Sequence, residues 1–187
     1  MVEVSGLAVT TIPKFIEAKF GEKAVEKWLA KLDPQIRKIY AGAILVNQWY
    51  DIDKVFVKPT EILCKMFFDG DEKAAWQFGR FSAEYGLKGV LKVFVKIASV
   101  NYFIRRASVV LPNYYKPMTM DIVHNDKGYA VLRIPDFPDI HKLVEYRIGG
   151  WMERALEITG NNKEFDIKIT QSMADGDDFT EFQIKWS

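Results

Sequence analysis

At Pro117 the spacing of apolar residues changes from a helical period to alternation, and this switch divides the chain into two kinds of structure. Beyond it, Met118, Met120 and Ile122 alternate with Thr119, Asp121 and Val123. Asn125-Asp126-Lys127-Gly128 is turn chemistry, and Tyr129 to Ile134 returns as a second strand. A second alternating pair lies further on: Phe165, Ile167 and Ile169, the turn Asp175-Gly176-Asp177-Asp178, then Phe182, Ile184 and Trp186. Residues two apart share a face of a strand, so Phe182, Ile184 and Trp186 are expected in a core, with Glu181, Gln183 and Lys185 outward. Between the hairpins a long helix is expected from an Asp139 cap to Gly160, with Ile140, Val144, Ile148, Trp151 and Ala155 along one face.

Upstream of Pro117 the chain reads as helices. Pro13 suits a first turn carrying Phe15, Ile16 and Phe20, and Gly21 stops it. Val25, Trp28, Leu29 and Leu32 mark the next helix, and Asp33-Pro34 is an N-cap followed by proline at the first helical position. Trp49 to Pro59 has no clear period and is expected to connect to a helix bearing Ile62, Leu63, Met66 and Phe67. Asp71 can cap the helix of Ala75, Phe78, Ser82 and Tyr85. From Leu87 to Ala98 the only charges are Lys88, Lys92 and Lys96, one narrow stripe on an otherwise apolar segment, which predicts a central helix. Asn101 is placed to cap a last helix ending before Pro112. The expected fold is α+β: an N-terminal helical layer, about 7–115, packed on a four-stranded antiparallel sheet made of two hairpins separated by one long helix, about 116–187. With 187 residues, 49% of them hydrophobic, positions 1–187 are expected to form a single domain.

Charge and cysteine content narrow the function. The net charge is +1, which offers no basic excess for neutralising phosphates along a nucleic acid. The single cysteine, Cys64, excludes an intrachain disulfide and a multi-cysteine metal site, so a cytoplasmic location is expected. No apolar run is long enough to span a bilayer, and the start of the chain lacks the basic region of a signal peptide. Dinucleotide, P-loop, zinc-protease and nucleophile-elbow motifs are all missing, and no enzymatic activity is expected.

The remaining candidates each have two readings. His124 and His141 have no histidine or cysteine at metal-ligand spacing. Cys64, among Ile62, Leu63 and Met66, is either a small buried hydrophobe or a reactive thiol. Asp175, Asp177 and Asp178 can ligate a cation or simply build a turn, and Arg105-Arg106 can anchor an anion or face solvent. Gly149-Gly150 lies inside a helix, where glycine is unfavourable, so it permits close approach by another helix, a strand or a ligand.

The run Gly150-Trp151-Met152-Glu153-Arg154-Ala155-Leu156-Glu157-Ile158-Thr159-Gly160, with Ala174-Asp175-Gly176-Asp177 and Phe182-Gln183-Ile184-Lys185-Trp186, resembles the C-terminal half of 4-vinyl-reductase-type domains. Gly6, Phe20-Gly21, Trp49-Tyr50, Gly86-Leu87-Lys88-Gly89-Val90, Tyr102-Phe103-Ile104-Arg105-Arg106 and Tyr114-Tyr115 resemble a bacterial family of uncharacterised proteins first collected as myxobacterial paralogues. Both belong to the superfamily of ligand-binding domains of nitric oxide signalling and Golgi transport, with the haem-nitric oxide/oxygen domains and the TRAPP subunits. The resemblance implies a helix–sheet cavity. It carries over no cofactor site: Ser172 and Thr180 stand near the turn where relatives have cysteines, no histidine occurs between Leu87 and Tyr115, and the Tyr-x-Ser-x-Arg haem clamp is missing.

On this resemblance the chain is expected to be a sensor or binding module without haem, holding a small apolar or amphipathic ligand. Phe78, Tyr85, Val90, Phe94, Ile97, Tyr114, Arg147, Gly150 and Trp151 would surround an enclosed pocket of about 300 Å³ or more. A closed core in the same place would point instead to an assembly module, forming a homodimer or docking a protein partner.

Overall fold

The computed structural model describes residues 2–87, 99–159 and 163–187. The expected central helix lies, beyond Leu87, outside them, as do its residues Val90, Phe94 and Ile97 and the helix end at Gly160.

The α+β architecture is as the periodicity implies. Strands β4 (Asp121–Asp126), β5 (Tyr129–Ile134), β6 (Phe165–Gln171) and β7 (Thr180–Trp186) form an antiparallel sheet of order β4-β5-β7-β6. The two hairpins therefore join through β5 and β7, whose register sets Leu132 opposite Phe182 and Ala130 opposite Ile184, all four fully buried. Trp186, partly buried, completes the inward row of β7. The first hairpin begins later than expected. Met118 and Met120 are buried ahead of β4, and a register shift between Ile122 and His124 leaves Ile122 and Val123 exposed on the edge strand.

In the helical layer lie α1 (Gly6–Val9), α2 (Thr11–Phe20), α3 (Glu22–Lys31), α4 (Pro34–Ala41), α5 (Lys58–Phe67), α6 (Ala74–Gly86) and α7 (Val100–Val110). Asp33 caps α4 by accepting from the Gln35 amide at 2.8 Å. The cap of α7 is Ser99, not Asn101. Asn101 instead donates to Asn125 Oδ1 at 2.7 Å and clasps the turn of the first hairpin. The long helix, α8 (Lys142–Thr159), also starts later than expected: Asp139 takes a positive φ of 52°, and His141 Nδ1 accepts from the Leu143 amide at 3.2 Å.

Trp49 to Pro59 is more than a connector. β2 (Trp49–Asp51) pairs with β1 (Glu3–Ser5), which pairs with β3 (Tyr115–Lys116), making a small sheet of order β2-β1-β3, and a π-helical turn over Asp53–Val57 leads into α5. Strands of two or three residues are too short to show alternation. This sheet nevertheless has a structural consequence, because it pins Tyr114 and Tyr115 beside the first helices: Val4 pairs with Tyr115, and the Ser5 amide donates to Tyr114 O at 2.9 Å.

The most enclosed helix among the described residues is α8, with twelve of its 18 residues buried, Glu145 and Arg147 included. It crosses α6 with backbones in contact. A Cβ on Gly150 would sit 2.0 Å from the Trp76 carbonyl oxygen, one on Gly149 would enter the Trp76 ring, and one on Gly79 would sit 2.1 Å from the Arg147 carbonyl oxygen. Arg80 clamps the crossing with a bidentate pair to Glu157, at 2.7 and 2.9 Å, and a further contact to Glu153.

Candidate functional site

Where α6 and α8 diverge from their crossing, a cavity of about 300 Å³ opens against α1, α2 and the residues after α7. Its walls are mostly apolar: Leu7, Leu111, Ile148 and Trp151 contribute, with Tyr85, Tyr114 and Tyr115 presenting aromatic faces and hydroxyls. Trp151 is held by Phe103 and Tyr114, whose ring centroids lie 6.3 and 6.4 Å away. At the rim, exposed Tyr85 receives a hydrogen bond from Lys14, whose ammonium also lies 4.2 Å from the ring centroid. Exposed Leu7 is flanked by Leu45 and Val46, also exposed, because the Leu7 amide donates to Val46 O at 3.1 Å.

Arg147 is the charged residue of this wall, and it is only 3% exposed. Its position results from the crossing: with the Arg147 carbonyl against Gly79, the side chain passes towards α1 and α2. There Nη2 donates to Ala8 O at 3.0 Å and to Thr11 Oγ1 at 2.9 Å. The guanidinium lies over the rings of Phe78 and Phe56, at 4.3 and 4.8 Å. Nη1 is buried without a hydrogen-bond partner among the described residues. No ion pair of Arg147 occurs among the described residues, and residues 88–98 and 160–162 contain no Asp or Glu at all. Burying a charge without a counter-ion is costly, and cation–π contacts offset only part of that cost. Around it, burial pushes the phenols of Tyr114 and Tyr115 up from their ordinary value, although the nearby Arg147 guanidinium pulls the other way. Both stay protonated, and therefore able to donate, across the neutral range.

Of the residues expected at the pocket, Tyr85, Tyr114, Arg147 and Trp151 come together on its wall. Phe78 lies beneath the guanidinium in the core rather than at the cavity surface. Gly150 is displaced from that set: it faces the Trp76 backbone, so the glycine makes room for a helix and not for a ligand. Thr11, Ser82, Leu111 and Tyr115 were not legible as site residues, and only Tyr115, next to Tyr114, had an aromatic signal that singled it out.

The other candidates lie elsewhere. His124 is exposed on β4 beside the Tyr129 ring, and His141 Nε2 is 3.6 Å from Glu61 Oε1. Cys64 is buried in α5, where burial pushes its thiol up to about 12, with Glu72 and Asp71 adding to the effect. Asp177 accepts from the Ser172 amide at 2.7 Å and Asp175 pairs with Lys142, which is turn construction. Arg105 and Arg106 are exposed. Among the described residues no cluster of His, Cys, Asp or Glu can hold a metal, and no helix is long and apolar enough to cross a membrane.

No protein-family model matches the sequence, and no curated protein matches it. Among solved structures, the fold is similar to an H-NOX protein from S. oneidensis in the Fe(II)NO ligation state, with a TM-score of 0.76 and 14% identity, covering 98% of this chain and 99% of that one. An Fe(II) unliganded H-NOX protein from K. algicida gives 0.72 and 11%, covering 98% and 96%. A mutant of the T. tengcongensis H-NOX gives 0.70 and 14%, covering 98% and 97%. The chain thus has the haem-NO-binding fold over nearly its whole length, at identities that establish fold alone.

Proposed function

We propose that the protein is a non-enzymatic, cytoplasmic ligand-binding sensor module, spanning positions 1–187 as one unit, whose cavity takes a small amphipathic molecule in place of haem. The observation that carries this reading is the pairing of an apolar cavity with one buried guanidinium that has no ion pair among the described residues. The fold neighbours are haem proteins, so haem is the natural competitor, and the residues of this chain do not fit it. Haem iron is held by His, Cys, Met or Tyr. Neither histidine nor Cys64 lines the cavity, and residues 88–98 contain none of these four residue types. Of the lining tyrosines, Tyr85 is exposed at the rim with its hydroxyl engaged by Lys14, and the phenols of Tyr114 and Tyr115, pushed up by burial, are poor phenolate donors. Within the superfamily, the motifs around Gly150-Trp151 and Tyr114-Tyr115 favour the 4-vinyl-reductase-type and myxobacterial-paralogue branch.

The purified protein is expected to show no Soret absorption, to leave added haemin unbound, and to carry a small organic adduct by native mass spectrometry. Stoichiometric haem with a Soret band would overturn the reading. A second reading, assembly through a helical face, draws on the outer side of α7, where Tyr102 and Val109 are 55% and 60% exposed. Homodimer formation abolished by Val109→Asp, with no adduct on the monomer, would favour it.

A further inference from the structure

Every charged group at the cavity is positive. Arg147 forms part of the wall, Lys14 stands at the rim on Tyr85, and no Asp or Glu lines it among the described residues. From this we infer that the ligand is an anion, a small monocarboxylate with an apolar body whose head is balanced by Arg147. The inference rests on the binding-module reading and narrows its ligand class.

Three features support it. First, the buried charge is single, with no ion pair among the described residues, and one carboxylate neutralises it, whereas a phosphate monoester would need Lys14 at the rim as well. Second, after Nη2 has met Ala8 and Thr11, Nη1 has no partner of good hydrogen-bond geometry among the described residues, although the guanidinium lies near enough to Tyr115 to pull its phenol down. Nη1 is itself covered by its neighbours, so attraction begins as a Coulomb interaction through a low-dielectric wall, with the Tyr114 and Tyr115 hydroxyls as donors on the wall itself. Third, the rest of the wall is Leu111, Ile148 and Trp151, suited to an aliphatic or aromatic body. A volume of about 300 Å³ holds about ten non-hydrogen atoms, at roughly 30 Å³ each, water's share of its liquid. Octanoate has this size. Arg147 is also dispensable for pairing the helix end it touches: Ala8 O keeps a donor without it, since Thr11 Oγ1 bonds to it at 2.7 Å.

Titration calorimetry with octanoate, octanamide and octyl phosphate tests the inference on the unaltered protein. Octanoate is expected to bind about tenfold or more tighter than octanamide, as attraction to a buried positive charge through a low-dielectric wall requires. In Arg147→Met the two should bind alike, and in Ser82→Leu, which fills the cavity, neither should bind. Equal affinities in the unaltered protein would overturn the anion inference while leaving the binding module standing. Octyl phosphate binding tighter than octanoate would replace the carboxylate by a phosphate head. If none of the three binds, the cavity reading itself fails.

Discussion

Helix α8 buries two charged side chains two residues apart, and they are treated in opposite ways. Glu145, fully buried, points to the turn between β6 and β7. There it accepts from Ser172 Oγ at 2.6 Å, Thr180 Oγ1 at 2.5 Å and the Ala174 amide at 3.4 Å. Each carboxylate oxygen has a donor, and the contact ties the start of α8 to the second hairpin. Arg147, 3% exposed, is about 200° around the helix and meets the cavity with one nitrogen satisfied and one not. Saturated hydrogen bonding is what a structural charge needs in order to be buried at all. An uncompensated charge just behind the wall of an apolar cavity is what a ligand-binding charge needs. The difference assigns Glu145 to the fold and Arg147 to the site.

The sharpest way to break this contrast is to remove each charge. Glu145→Ala leaves the Ser172 and Thr180 hydroxyls and the Ala174 amide without their acceptor, and is expected to cost about 3–5 kcal/mol in chemical denaturation. A cost under about 1 kcal/mol would mean that the network does not hold the hairpin. Gly150→Ala comes next. Its Cβ would meet the Trp76 carbonyl at 2.0 Å, a backbone atom that no rotamer change relieves, so a loss of about 3 kcal/mol is expected. Tolerance of that alanine would return Gly150 to the ligand side of the helix.

Arg147→Met is expected to leave stability within about 1 kcal/mol of the parent or to raise it, because a buried charge without a counter-ion is replaced by an apolar chain of similar length. A loss comparable to that of Glu145→Ala would make the arginine a strut. The smallest effect concerns Gly86, in the same helix as Gly79. Among the described residues nothing lies within 4 Å of a Cβ there, so Gly86→Ala should stabilise by about 0.5 kcal/mol in thermal melts. A destabilisation would show that the cavity end of α6 is as tightly packed as the crossing.

The sequence made these two regions unequally legible. Alternation in Phe182, Ile184 and Trp186 identified the buried face of β7, because a one-residue slip would have inverted it. The cap pair Asp33-Pro34 was equally plain. The burial of α8 was legible only in part: Arg147 was expected at the pocket, but nothing near Glu145 marked it as buried, and only its partners in a distant segment permit it inside. The N-terminal wall of the cavity was hidden for another reason. It depends on β1, β2 and β3, strands of two or three residues with no period to detect. Gly149-Gly150 signalled a close approach, but not by what; the answer lay in Trp76, more than seventy residues earlier.

The most direct test of the central claim is a crystal structure with 8-bromooctanoate, whose bromine is located by anomalous scattering. The account predicts a bromine site among Leu111, Ile148 and Trp151, with the carboxylate directed at Arg147 and the hydroxyls of Tyr114 and Tyr115. A cavity filled by rearranged side chains, with bromine only in the open groove by Lys142 and Asp175, would contradict it.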